Sequence, residues 1–229
     1  MRPIDGPVDF PADPFAARLR ALLRADPGLS TSLRLARGAT AYHAGGNDRS
    51  VYLVESGLVK VVAVVESGRE CLLSLHPAGD VFGELCLAQD ERAETATAMQ
   101  PTLLRKIPVD PLLAALRRAG ALDEYVASLA RRLAEQQQWI TGLVLLNGEL
   151  RLAARLLLLA ARLGRPDGAH LRIEHRITQE ELSRMVGTTR SRVGHFLGRF
   201  AALGLVSRGP GAVLRVEPRR LRAYLEANL

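Results

Sequence analysis

The amino-acid sequence predicts an α+β chain in three parts. These are an N-terminal β-roll of the double-stranded, jelly-roll-like kind, a long α-helix, and a C-terminal winged helix-turn-helix. Three observations predict it. From about Leu33 to Ile107, short apolar runs alternate with glycine-bearing turns. From Asp110 to about Gly164 the apolar spacing becomes helical. Beyond that the text reads short strand, helix, glycine, helix, hairpin.

Taken in order, residues 1–14 are rich in Pro and Asp and read as a flexible tail. Pro14 to Arg24 fit a short amphipathic helix. The stretch "VYLVESGLVKVVAVVESGRECLLSL" reads as strands joined by Glu66-Ser67-Gly68-Arg69, with a further turn at Glu55-Ser56-Gly57. "TATAM" and "TLLRKIP" continue the pattern. Residues 15–108 are therefore assigned to the roll. Asp110-Pro111 opens a helical region, Asp as N-cap and Pro at the first helical position. It is interrupted near Gly120 and Asn147-Gly148. Within it, Leu122, Val126, Leu129, Leu133, Ile140, Leu143 and Asn147 form one seam at spacings of three and four, broken by Gln136. Such a seam predicts pairing with a second copy of the chain, so residues 109–147 are read as a dimerisation helix. The remaining domain, 148–229, opens with helical text to about Gly164, followed by the strand-like "HLRIE". Thr178 and Glu181 then fit a capping box, and "LVSRGPGAVLRV" gives two strands around Gly209-Pro210-Gly211.

Charge is divided unevenly. The chain of 229 residues has a net charge of +7; residues 1–147 are nearly neutral, while 148–229 carry 15 basic and 7 acidic side chains. A basic C-terminal third points to a polyanionic partner. Two cysteines, Cys71 and Cys86, lack metal or disulfide spacing and are expected as buried thiols. The most apolar run, Leu156 to Leu163, is far shorter than the roughly 20 residues that span a bilayer. The expectation is a cytoplasmic protein with no membrane partner and no bound metal.

The stretch "SRMVGTTRSRVGHFL" carries the partner-binding chemistry. Leu182 and Val186 of one helix brace a second, and Gly187 supplies the positive φ of the turn. Val193, Phe196, Leu197, Phe200 and Leu203 form the buried stripe of the second helix. Its opposite face, beginning with Thr189, Arg190, Ser191 and His195, is shaped to enter a major groove of double-stranded DNA. A guanidinium fork at Arg190 matches guanine O6 and N7. Arg192 and Arg199, with the Thr188 and Thr189 hydroxyls, suit backbone phosphates, as does Arg208 at the hairpin. Gly194 permits close approach, either of DNA or of a packed helix.

These motifs, with "PAGDVFGEL" (Pro77–Leu85) and "LARRL" (Leu129–Leu133), resemble the CRP/FNR family of bacterial transcription regulators over roughly residues 20–229. The resemblance implies no enzymatic activity. It implies a cyclic-nucleotide-binding-type sensor roll, a homodimer on a palindromic operator, and RNA polymerase as a further partner. It also implies a ligand cassette, with backbone amides of Gly83, Leu85 and Cys86, Glu84 toward a ribose hydroxyl, and Arg92 toward phosphate. Family members often carry Ser or Thr after that arginine; here it is Ala93, followed by Glu94. The positions resembling the family's base-contacting pair on the dimer helix are Gln136 and Gln137. The effector is left open between cAMP, another cyclic nucleotide or dinucleotide, and no nucleotide. A ligand-independent, redox or haem-controlled regulator is the alternative within the family, with His43 or His76 as axial candidates. Family recognition helices often carry Arg-Glu before the Val-Gly pair. Ser191 replaces the Glu here, so a distinct operator is expected. Outside the family, a cupin-like enzyme would need clustered His and carboxylate ligands that the sequence does not supply. A sequence-indifferent DNA binder would show no operator preference.

Overall fold

The computed structural model describes residues 14–64, 68, 70–209 and 213–229. The tail assigned to residues 1–14 therefore lies almost wholly outside the described residues, as do Glu66, Ser67, Arg69, Pro210 and Gly211 of the two expected turns. The chain forms two compact units that divide between Gln136 and Gln137.

The first unit opens with α1 (Pro14–Ala25), followed by β1 (Thr31–Leu35), β2 (Thr40–Tyr42), β3 (Ser50–Ser56), β4 (Leu58–Val64) and β5 (Glu70–Pro77). β6 (Val81–Phe82), a short 3₁₀ turn (Glu84–Leu87), β7 (Thr95–Ala98) and β8 (Thr102–Pro108) complete the roll. The strands make two antiparallel four-stranded sheets, in the orders β1-β8-β3-β6 and β2-β7-β4-β5. Period-two alternation sorts β3 between two cores. Tyr52 and Val54 join Tyr42, Val59, Phe82 and Leu104 inside the roll. Val51 and Leu53 face a second cluster with Phe15, Leu19, Ile107, Leu112, Leu116 and Tyr125. A strand buried on both faces explains the unbroken apolar run at Val51–Val54.

α2 (Val109–Arg118) and α3 (Leu122–Leu145) follow. α2 starts directly from β8, with Pro108 at its N-cap, so Asp110 and Pro111 sit inside the first turn rather than opening it. Asp110 there still favours the positive helix pole. Along the expected seam, Leu122 and Leu129 pack on the roll's own helical core. Val126, Leu133, Ile140 and Leu143 are exposed, and Val144 joins them. Asn147 leaves the seam to cap the next helix, accepting from the Glu149 and Leu150 amides at 3.0 Å each.

The second unit contains α4 (Gly148–Leu163), β9 (Gly164–Asp167), β10 (His170–Ile173), α5 (Gln179–Val186), α6 (Arg190–Ala202), β11 (Val206–Arg208), β12 (Leu214–Val216) and α7 (Pro218–Glu226). Its sheet runs β11-β12-β10-β9. β9 and α7 were not read from the sequence. β9 is polar and short, whereas α7 carries a signal that was legible: Glu217 caps the amides of Arg219 and Arg220 beside Pro218 at the first helical position.

Two burial expectations are corrected. Cys71 is exposed. It lies near the start of β5, an edge strand with one face turned to solvent, and only Cys86 is buried. Leu203 is 45% exposed. α6 ends at Ala202, and Gly204 turns the chain at φ 66°, so that Leu205 takes the buried place. The Gly204 amide bonds to Ala201 O and the Leu205 amide to Phe200 O, the paired bonds of a glycine-terminated helix.

Gly57, between β3 and β4, has φ +101°, and a Cβ there would lie 2.7 Å from the Thr102 Cα. Gly57→Ala combines this clash with a disfavoured backbone and is expected to cost at least about 3 kcal/mol. Chemical denaturation of the variant and the parent checks this.

Candidate functional site

The cassette grows from the turn after β6. Gly83 adopts φ +87°, and a Cβ there would stand 3.2 Å from Arg92 Nη1, the Ser50 carbonyl and the Tyr52 ring. A Cβ would crowd all three groups in a backbone conformation that glycine favours. Arg92 is 4% exposed. Its Nη1 donates to Gly83 O and its Nη2 to Ser50 O, and Nη2 lies 3.4 Å from Asp48 Oδ2. The guanidinium also sits 4.0 Å from the centroid of the Tyr42 ring. Burial alone would raise the Asp48 carboxyl, but bonds from the Tyr52 hydroxyl, Lys106 and Ser50 outweigh it and hold the group below its ordinary range.

Two further carboxylates border this arginine. Glu84 pairs with Arg132 of α3, whose other nitrogen donates to Val81 O. Glu94 is buried and accepts from the Tyr42 hydroxyl at 3.1 Å. Burial pushes the Glu94 carboxyl up, and Glu84 adds to the shift against the opposing effects of Tyr42 and Arg92. Burial likewise pushes up the Tyr42 phenol and the Cys86 thiol. Four buried polar atoms around this turn have no hydrogen-bond partner among the described residues: Glu84 Oε2, Glu94 Oε2, Arg92 Nε and the Tyr125 hydroxyl.

The structure thus brings Gly83, Glu84, Leu85, Cys86, Arg92 and Ala93 into one short segment around the turn. Leu85 is 46% exposed, whereas the Cys86 thiol points at Ser50 O. Gln136 and Gln137 lie on α3 with exposed side chains, Gln136 one helical turn beyond Arg132. Arg132, Asp48 and Tyr42 were missed at the sequence level. Arg132 stood in a quoted motif; Asp48 and Tyr42 carry no local signal, because the sheet pairing alone brings them to Arg92. His43 bonds to Thr40 at 2.7 Å, and His76 bridges Ser74 and Asp80. Among the described residues, no group of three or more His, Cys, Asp or Glu side chains could hold a metal ion.

The second candidate surface is α6. The Thr178/Glu181 capping box closes the start of α5, and Gly187 ends α5 at φ 64°. Thr189 caps α6 by accepting from the Arg192 amide. Val193, Leu197 and Phe200 are buried, Phe196 partly so. The other face leaves Thr189, Arg190, Ser191, Arg192 and His195 exposed, with Thr188 half-buried beside them. Arg190 and Arg208 line one cleft of about 430 Å³ with Arg176 and the first residues of α5. Arg199 is less free than the sequence suggested, since Glu149 holds it at 3.1 Å. For Gly194, the structure favours helix packing: a Cβ would meet the Gln179 side chain at 3.3 Å.

A model of the cyclic nucleotide-binding domain matches residues 32–119, and one of the Crp-like helix-turn-helix domain matches residues 150–224. The chain is 33% identical over 190 residues to a CRP-like cAMP-activated global transcriptional regulator of Mycobacterium tuberculosis, covering 81% of this chain and 84% of that one. This chain belongs to the CRP/FNR family. It is also 32% identical over 179 residues to a cyclic AMP receptor protein of Thermus thermophilus, covering 77% of this chain and 80% of that protein. A solved CRP/FNR family transcriptional regulator from the same organism superimposes with a TM-score of 0.68 at 27% identity, covering 86% of this chain and 98% of the other. As a CRP/FNR-type regulator, the chain has the mixed fold expected of it: antiparallel roll, long helix, helix-turn-helix.

Gly198 lies exposed within α6, and a Cβ there would meet nothing within 4 Å. Gly198→Ala is expected to stabilise the free protein by about 0.5–1 kcal/mol through helix propensity. The shift in thermal midpoint measures it.

Proposed function

We propose that this CRP/FNR-type regulator works as a homodimer that binds a palindromic operator and responds to a cyclic nucleotide at the roll. The carrying observation is the first turn of α6. It is capped, braced from behind by α5, and presents Arg190, Ser191, Arg192 and His195 to solvent. That is the presentation a major-groove reader needs. Arg190 reads a guanine; Arg192, Arg208 and the hydroxyls of Thr188 and Thr189 hold phosphates. Arg199 joins them by exchanging Glu149 for a phosphate. Pairing of two chains is supported by the exposed face of α3, where Val126, Leu133 and Ile140 recur every seven residues and are 56%, 56% and 59% exposed. The dimer places two recognition helices on half-sites about one DNA turn apart and acts through RNA polymerase in the cytoplasm.

For the effector, the support is the donor set around Arg92 and Glu84, together with relatives described as cAMP-activated and as a cyclic AMP receptor. Occupancy of the cassette shifts how the paired α3 helices meet and so the spacing of the recognition helices. Gln136 and Gln137 take the base on the dimer-helix side, and Ser191 sets the operator apart from the family's usual half-site.

Arg190→Ala is expected to cost about 1–3 kcal/mol of discrimination against the wrong base. Competition between operator and random DNA in a gel-shift titration reads this out, and unchanged selectivity would remove Arg190 as the reader. Ile140→Asp puts a charge into the pairing face. It should convert the dimer to monomer in sedimentation and weaken operator binding, while the circular dichroism spectrum stays that of the folded chain.

A further inference from the structure

The cassette contains a carboxylate that the proposed nucleotide reading does not use. Glu94 is 4% exposed and lies two residues from the phosphate-binding arginine. One of its oxygens accepts from Tyr42, and the other has no partner among the described residues. A buried carboxylate with an open oxygen is costly when charged, and a neighbouring phosphate makes it costlier. The groups acting on it are Tyr42 from β2, Arg92 from its own segment and Glu84 from the turn after β6. Burial already raises its affinity for a proton.

The charges around the turn lead to the same place. Among the described residues, contacts link the cations Arg92, Arg132 and Lys106 with the carboxylates Asp48 and Glu84. Arg49 nearby is neutralised by Asp90 at 3.0 Å. With Glu94 ionised, these linked groups balance, three cations against three carboxylates. With Glu94 neutral, they gain one positive charge, the complement of a single phosphodiester.

Resting on the nucleotide reading above, we propose that Glu94 is the selectivity residue of the cassette. It takes up a proton as a cyclic mononucleotide docks on Arg92, and its open oxygen then serves the site as a neutral donor rather than a second negative charge. The proton comes from solvent, and no covalent bond in the ligand changes. Two consequences follow. Affinity falls as pH rises, by up to tenfold per pH unit between the proton affinities of the free and occupied site. A ligand bearing two phosphates, such as a cyclic dinucleotide, meets a site balanced for one.

The test uses the full-length protein and Glu94→Gln, which keeps the shape and fixes the neutral state. Binding of cAMP and, separately, cGMP is titrated by calorimetry from pH 5.5 to 8.5, in two buffers of different ionisation enthalpy. For the parent, the expected result is weakening with rising pH and a buffer-dependent heat that reports proton uptake. For Glu94→Gln, the expected result is at least about tenfold tighter binding at pH 8, with the Glu94-linked slope and proton uptake lost. Binding by the variant alone at pH 8 supports the proposal as well. Equal affinities and equal slopes in the two proteins overturn it and leave the nucleotide reading standing. If neither protein binds either probe at any pH while both remain folded by circular dichroism, the nucleotide reading falls and the proposal with it.

Discussion

The roll is organised around one buried cation. Taking a guanidinium out of water costs several kcal/mol unless its donors and charge are satisfied. The two Nη groups and the charge of Arg92 are met by groups from separate elements, the Ser50 carbonyl of β3, the Gly83 carbonyl after β6, the Tyr42 ring of β2 and the Asp48 carboxylate, while its Nε has no partner among the described residues. Asp48 is in turn fixed by Lys106 of β8. β2 belongs to one sheet, and β3, β6 and β8 to the other. One side chain therefore ties both sheets together at a single point. In the proposed nucleotide reading, an anion drawing on that guanidinium would act on both sheets at once. Gly83 favours this arrangement, because its φ of +87° suits glycine and a Cβ there would crowd Arg92 Nη1 at 3.2 Å.

The helical unit depends on a second arginine in a different way. Helices end with unsatisfied carbonyls that carry partial negative charge. Arg151 of α4 donates Nε to Val186 O at the end of α5, and Nη1 to Leu146 O and Leu143 O at the end of α3. One guanidinium thus satisfies two helix ends and fixes the bracing helix of the helix-turn-helix against the end of the long helix. Glu149, two residues earlier, takes the Tyr224 hydroxyl at 2.7 Å and Arg199 at 3.1 Å, which ties α7 and α6 to the start of α4. The recognition helix is held by polar contacts at its far end and by apolar packing at Val193, Leu197 and Phe200.

What the sequence made legible was local. The capping box, the turn at Gly187, the alternating strands and the start of α1 depend on residues within one or two turns of each other, and they stand where they were expected. The second strand of the hairpin was legible for the same reason, whereas the seam was legible only as a helix, since Leu122 and Leu129 pack on the chain's own core and Asn147 caps α4. What it concealed depended on pairing across long separations. The Asp48–Arg92 contact joins residues 44 apart in sequence, and Glu84–Arg132 residues 48 apart. Periodicity alone carries the buried stripe on to Leu203 because it does not announce where a helix stops; Gly204, at φ 66°, marks that stop. Cys71 was misplaced because an apolar neighbourhood in sequence does not say which face of an edge strand is covered.

Net charge was the bluntest of the signals, and the structure divides it. Many of the basic residues after Asn147 serve the fold. Arg165 and Arg172 meet Glu174, Arg184 meets Glu180, and Arg215 meets Asp167. Arg155 lies over the Trp139 ring. Arg190, Arg192 and Arg208 make no ion pair among the described residues and are exposed around the start of α6 and the end of β11. The distinction is energetic. A guanidinium already paired must give up a carboxylate to gain a phosphate, so its net gain is a difference between two similar interactions. An unpaired, solvated guanidinium gives up only water and counterions. In the proposed DNA complex, the unpaired arginines at the start of α6 and the end of β11 would therefore gain more from a phosphate than the paired ones.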